Sequence, residues 1–243
     1  MKSFRNLSLM AKLSIILLYT RINLKIVFGR KAIWIFLGTL IYVVIVCLIA
    51  VKSEDQVSVT QALPLVVWMP LTLIAVLFSM DIISKERDAN LIETLFTVSV
   101  SVYRLWIIKF MTLMFSLGLL AVVLIVTTKI VVVDVPVFLA LLNVLPPIFF
   151  FASLTMFLSV FVKSANAAGM CVTAILGFVF LTSEGLSQTV VYPYLNPFDK
   201  PVNEESFIWV RTLVYNKIAF SLLGLLCFWR SMRRLDRREG LLK

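Results

Sequence analysis

Ala32–Val51, AIWIFLGTLIYVVIVCLIAV, is a run of twenty residues without a charge, bounded by Lys31 and Lys52. As a helix it measures about 30 Å, the thickness of a bilayer's hydrocarbon core, and it satisfies its backbone hydrogen bonds internally. Reading outward from it, five more stretches of comparable character follow: Leu63–Ile83, Phe110–Thr128, Val135–Val162, Ala165–Ser187 and Thr212–Trp229. With 61% of its 243 residues hydrophobic, the chain has no room for a folded soluble domain beside them. The expected fold is all-α and integral to the membrane, with six transmembrane helices in a domain covering residues 32–229.

Charge placement gives the orientation. The net charge is +10, and the basic residues cluster at the two ends: Lys2, Arg5, Lys12, Arg21, Lys25, Arg30 and Lys31, then Arg230, Arg233, Arg234, Arg237, Arg238 and Lys243. With both termini in the cytoplasm, 18 of the 23 Lys and Arg residues fall inside and only Lys52, Lys129 and Lys200 fall in outer loops. Such an asymmetry is the signature of a multi-pass protein of the cell (cytoplasmic) membrane with basic flanks against anionic lipid, not of a nucleic-acid binder. The first apolar run begins too late and lacks the small-residue pattern of a cleaved leader, so it is read as a span.

Several chemistries lose their usual groups. Histidine is absent, which removes the commonest general base and metal ligand, and Cys47, Cys171 and Cys227 are scattered among apolar residues without metal-site spacing. No metal site, catalytic residue or bound cofactor is expected, and the chain is read as non-catalytic. Gly29 is followed by Arg30, and no Gly-rich turn ends in Gly–Lys–Ser/Thr, so the chain has no P-loop of its own.

Three features stand out within the spans and their flanks. Residues 1–31 mix apolar and basic positions without proline and predict an interfacial helix on the cytoplasmic face, ahead of a basic tail at 230–243. Pro146 and Pro147 sit mid-span and predict a bend or break, a candidate hinge. Glu184 and Lys217 are ionisable groups in otherwise apolar runs, at depths that suit an intramembrane ion pair. The outer segment 189–210, with Pro193, Pro197 and Pro201 among Tyr192, Tyr194, Phe198 and Trp209, predicts short helical pieces packed at the outer leaflet.

The connection after the second span, SKERDANLIETLFTVSVSVYR from Ser84 to Arg104, is too long for a passive turn. Asn90 can cap a helix with Glu93 answering three residues on, and Leu91, Ile92, Leu95 and Phe96 then share one face. An amphipathic helix on the wet side of a membrane needs an apolar surface to cover it, and a protein partner supplies one.

This segment resembles the signature of the type-2 permeases, the transmembrane subunits of ATP-binding-cassette (ABC) exporters. The matching positions are Glu86, Arg87, Asn90, Leu91, Glu93, Leu95, Phe96, Tyr103, Arg104 and Lys109. The family often has Gly where Asn90 stands and Pro near Val98 or Ser99. LNPFDKP, Leu195–Pro201, is similar to an Asn–Pro–Phe region before the last span of many such permeases. The resemblance implies a coupling helix over 84–104 that docks an ABC ATPase subunit, with Ile92 and Arg104 in the contact, and a second permease copy as homodimer or related heterodimer. ATP and Mg would be held by the ATPase partner. Six spans alone also suit a channel, a secondary transporter or a membrane assembly factor, so the exporter reading rests on this segment. The spans' Leu, Val, Ile and Phe lean toward a lipidic or amphipathic cargo, and substrate-binding residues are not legible.

Overall fold

A computed structural model describes residues 29, 31–52, 58–88, 102–162, 164–201 and 206–236. Their ordered elements are helices, and no strand occurs among the described residues. The helix α1 covers Lys31–Lys52, and a short α2, Val59–Leu63, runs through a wide π turn, Pro64–Trp68, into α3, Met69–Asp88. The long helices α4, Val102–Val131, and α5, Val137–Val162, follow. Then come α6, Ala165–Leu181, the single turn α7, Ser183–Leu186, and the terminal α8, Ser206–Asp236.

Among the described residues, four helical stretches are long and apolar enough to cross a membrane: Val59–Ile83, Leu105–Val131, Val137–Val162 and Ser206–Leu235. Two further apolar helices, Ile33–Ile49 and Ala165–Leu181, are shorter. Each coincides with one of the six runs read from the sequence, with altered limits. The helix over the third run starts well before Phe110, that over the sixth extends on both sides of Thr212–Trp229, and that over the fifth stops at Leu181 rather than Ser187. At that end the chain turns at Thr182, whose hydroxyl donates to the carbonyl of Phe178 at 2.9 Å.

The helices form where backbone self-sufficiency is compulsory, and their ends have identifiable causes. Ser164 caps α6, its hydroxyl accepting the Ala167 amide at 3.3 Å. The turn between α4 and α5 folds the Val132 and Val133 amides onto the Thr128 carbonyl, and Lys129 pairs with Asp134 at 3.2 Å on its surface. Such a solvated pair contributes little. Pro70 lacks the N–H that an α turn would send back to Val66; just ahead of it the Met69 amide reaches Pro64, five residues back, and the turn widens.

Pro146 and Pro147 do not break α5, which is one helix from Val137 to Val162 with both prolines inside it. Neighbouring elements bury Pro147 and much of the helix, so packing holds what local bonding lost. The prolines still leave the carbonyls of Leu142 and Asn143 without their usual α-helical donors.

Helix α5 is the hub, packing against α3, α4, α6 and α8. Trp68, Leu71, Phe110, Leu113, Ile148, Phe151 and Met156 are among its fully buried neighbours and members. Helix α8 crosses α5 closely at Gly224, where a Cβ would meet the Phe149 ring at 2.7 Å and the Phe150 backbone at 3.2 Å. Its apolar outer face, including Phe207, Ile218 and Leu222, is exposed, as lipid-facing surface would be. At the opposite end Arg234 lies over Phe161 at 3.8 Å and Arg233 over Trp229 at 4.0 Å, anchoring the basic terminus to the aromatic rim.

Candidate functional site

The most specific polar construction lies where the segment after α7 enters the bundle. Residues 187–201 form successive turns, with amide-to-carbonyl bonds from Thr189 to Leu186, Tyr192 to Thr189 and Leu195 to Tyr192. Tyr192, Tyr194, Leu195 and Asn196 are buried, so this is a plug rather than a surface loop. Tyr194 carries the insertion: its ring stacks on Trp68 with centroids 5.4 Å apart, on Phe180 at 5.7 Å and on Phe151 at 6.0 Å. Its hydroxyl is hydrogen-bonded to that of Thr72, which also donates to the Trp68 carbonyl at 2.7 Å. Burial pushes the phenols of Tyr192 and Tyr194 above their ordinary range, so both stay protonated.

An irregular segment at this depth exposes carbonyls that water cannot reach, and two consecutive residues of α8 answer them. The Asn216 amide donates to Val190 at 2.6 Å and to Tyr192 at 2.9 Å. The Lys217 ammonium donates to Leu195 at 3.2 Å and to Pro193 at 3.4 Å. Four carbonyls of a six-residue stretch are thereby held from one side by one helix. Within the plug, the Asn196 carbonyl side chain accepts the Phe198 amide at 3.1 Å.

The plug borders a cavity of about 600 Å³ between α5 and α8, reached by Pro197, Trp209, Lys217, Asn143 and Ser221 and otherwise lined by aliphatic side chains. Asn143 is 5% exposed, and neither its amide nitrogen nor its oxygen has a hydrogen-bond partner among the described residues. The Trp209 indole nitrogen is in the same condition.

The residues singled out in the sequence fall variously. Lys217 is partly buried, and its described partners are carbonyl oxygens. Glu184 lies in α7, but its side chain is outside the described residues, as is the pairing with Lys217. Pro146 and Lys217 come together in the cavity wall. Glu86 and Arg87 belong to the last turn of α3 and Arg104 to the first of α4, with their side chains outside the described set. Asn90, Leu91, Ile92, Glu93, Leu95 and Phe96, the apolar face of the expected coupling helix, lie outside the described residues, as do residues 1–28 and 237–243. Asn216, Trp68 and Thr72 were not anticipated. Asn216 carried a usable signal, an amide beside a lysine in an apolar run.

No metal-sized group of three or more acidic, cysteine or histidine side chains occurs among the described residues. No protein-family model matches the chain, and neither curated proteins nor solved structures gave a match.

Proposed function

We propose that this chain is the six-span permease subunit of an ABC exporter, non-catalytic itself and driven by ATP hydrolysed on a separate ATPase subunit. The observation that carries the reading is the 84–104 connection, whose Glu86, Arg87, Asn90, Glu93 and Leu95 resemble the coupling segment of type-2 permeases. The helical bundle supports it, since four long apolar helices and the shorter apolar α1 and α6 coincide with the six runs read from the sequence. A structured plug beside the Asn–Pro–Phe stretch, before the last helix, is a further support. In this reading the 84–104 element rides on the ends of α3 and α4 and passes ATPase closure to them as rigid-body movement. Both termini lie in the cytoplasm of a multi-pass cell membrane protein, and two copies, or one copy and a related permease, form the pore.

The test is reconstitution of the purified chain with a candidate ATPase bearing a P-loop. Stoichiometric assembly and ATPase activity altered by Leu95→Asp, with the spans still folded, is the expected result. Unchanged assembly and activity in that variant would overturn the docking role of the 84–104 segment.

A further inference from the structure

We infer that the cavity between α5 and α8 is a binding site for an anionic membrane amphiphile, its hydrocarbon chain in the groove and its oxyanion head at Lys217. The inference goes beyond the exporter reading and does not depend on ATP coupling.

The groove is aliphatic over most of its wall, with Leu139, Leu142, Val214 and Leu222 turned outward. Its volume, about 600 Å³, lies in the range of small-molecule sites. Cargo or lipid without charge would need nothing more. The one charged side chain in the wall, Lys217, is held beside the plug, and Asn143, Trp209 and Ser221 are the other polar or indole groups lining it. Lys217 directs its ammonium to two carbonyls, which take two of its three protons and none of its charge. Among the described residues nothing else meets the third proton or the net positive charge in this low-dielectric setting, where an oxyanion is the complementary partner. Asn143, nine-tenths buried and without a partner among the described residues, stands in the same wall, and so does the Trp209 indole, in the same condition. A buried polar group without a partner calls for one, and a head group bound beside Lys217 would supply it.

The position suits a membrane lipid rather than a free anion. Lys217 is eleven residues past Ser206, about 16 Å along α8, so a soluble anion would have to shed its hydration beside aliphatic walls. An amphiphile brings its head to that depth on its own chain.

The purified full chain in a zwitterionic detergent provides the test, read as saturable thermal stabilisation. Lysophosphatidylglycerol and oleate should each bind about tenfold more tightly than lysophosphatidylcholine of equal chain length, and inorganic phosphate should have no effect. Lys217→Gln should erase the preference and Lys217→Arg should keep it. Leu142→Trp, which fills the groove away from the plug contacts, should weaken all three amphiphiles and keeps the test decisive if Lys217→Gln fails to fold. The proposal is overturned by equal binding of charged and zwitterionic chains, by equal stabilisation from phosphate, or by unchanged affinities in Leu142→Trp. A preference that emerges only in Glu184→Gln would also overturn it, because a carboxylate would then already occupy the ammonium.

Discussion

Asn216→Leu removes both donors that hold Val190 and Tyr192 while keeping the forked outline and heavy-atom count of the side chain. The two carbonyls stay buried in the closed plug and lose their partners. Each such loss costs about 1–3 kcal/mol, so even the low end for two gives about 2 kcal/mol against the closed state. That raises the open population roughly 30-fold, on the scale of tenfold per 1.4 kcal/mol. Amide exchange reads this directly. The Tyr192 and Leu195 amides are bonded within the plug at 3.1 and 3.2 Å, and their protection should fall by at least that factor while α5 amides keep theirs. Protection unchanged within threefold would refute the idea that α8 holds the plug. Equal losses in α5 would instead mean that the plug and the bundle open as one unit, which contradicts a local clamp.

Further outcomes follow from the same contacts. Tyr194→Phe loses one hydrogen bond, about 1 kcal/mol, whereas Tyr194→Ala empties the slot between Trp68, Phe151 and Phe180 and should cost about 3–5 kcal/mol by thermal unfolding. Because burial raises both phenols above 10.0 in the folded chain, the unfolded chain loses those protons first as pH rises. Stability from the plug is therefore full below pH 10 and declines above it, and Tyr194→Phe should flatten that alkaline decline in a melting-temperature series. Gly224→Val forces a side chain against Phe149 and the Phe150 backbone and should destabilise by about 1–3 kcal/mol, while the same change at Gly118, with nothing within 4 Å, should be nearly silent in the same assay.

The apolar runs made the helices legible because a bilayer imposes one backbone solution on any stretch of that length. Ala32–Val51 and Val135–Val162 differ from α1 and α5 by only a residue or two at each end. Limits were less legible where charge sits inside a helix: Lys109 is 6% exposed within α4, and a search for charge-free runs stops at it. Prolines and aromatics at 189–210 pointed to short helical pieces at the outer leaflet, whereas the described residues up to 201 form successive turns that carry Tyr192 and Tyr194 into the core. That depends on a slot built by Trp68 and Phe180, residues distant in sequence and individually unremarkable. The partners of Lys217 were hidden for a different reason. A search for a counter-charge finds carboxylates, and backbone carbonyls carry no letter in a sequence.

The close crossing at Gly224 gives α8 the mechanics of a lever. Lys217 stands seven residues along the helix from that fulcrum, an arm of about 10 Å. A tilt of about 10° would swing the ammonium by about 1.8 Å, enough to carry 3.2 and 3.4 Å contacts past hydrogen-bonding range. A small rotation of this helix about Gly224 would thus release the plug carbonyls held at Lys217, and a larger residue at the fulcrum would shift where along that travel the release falls.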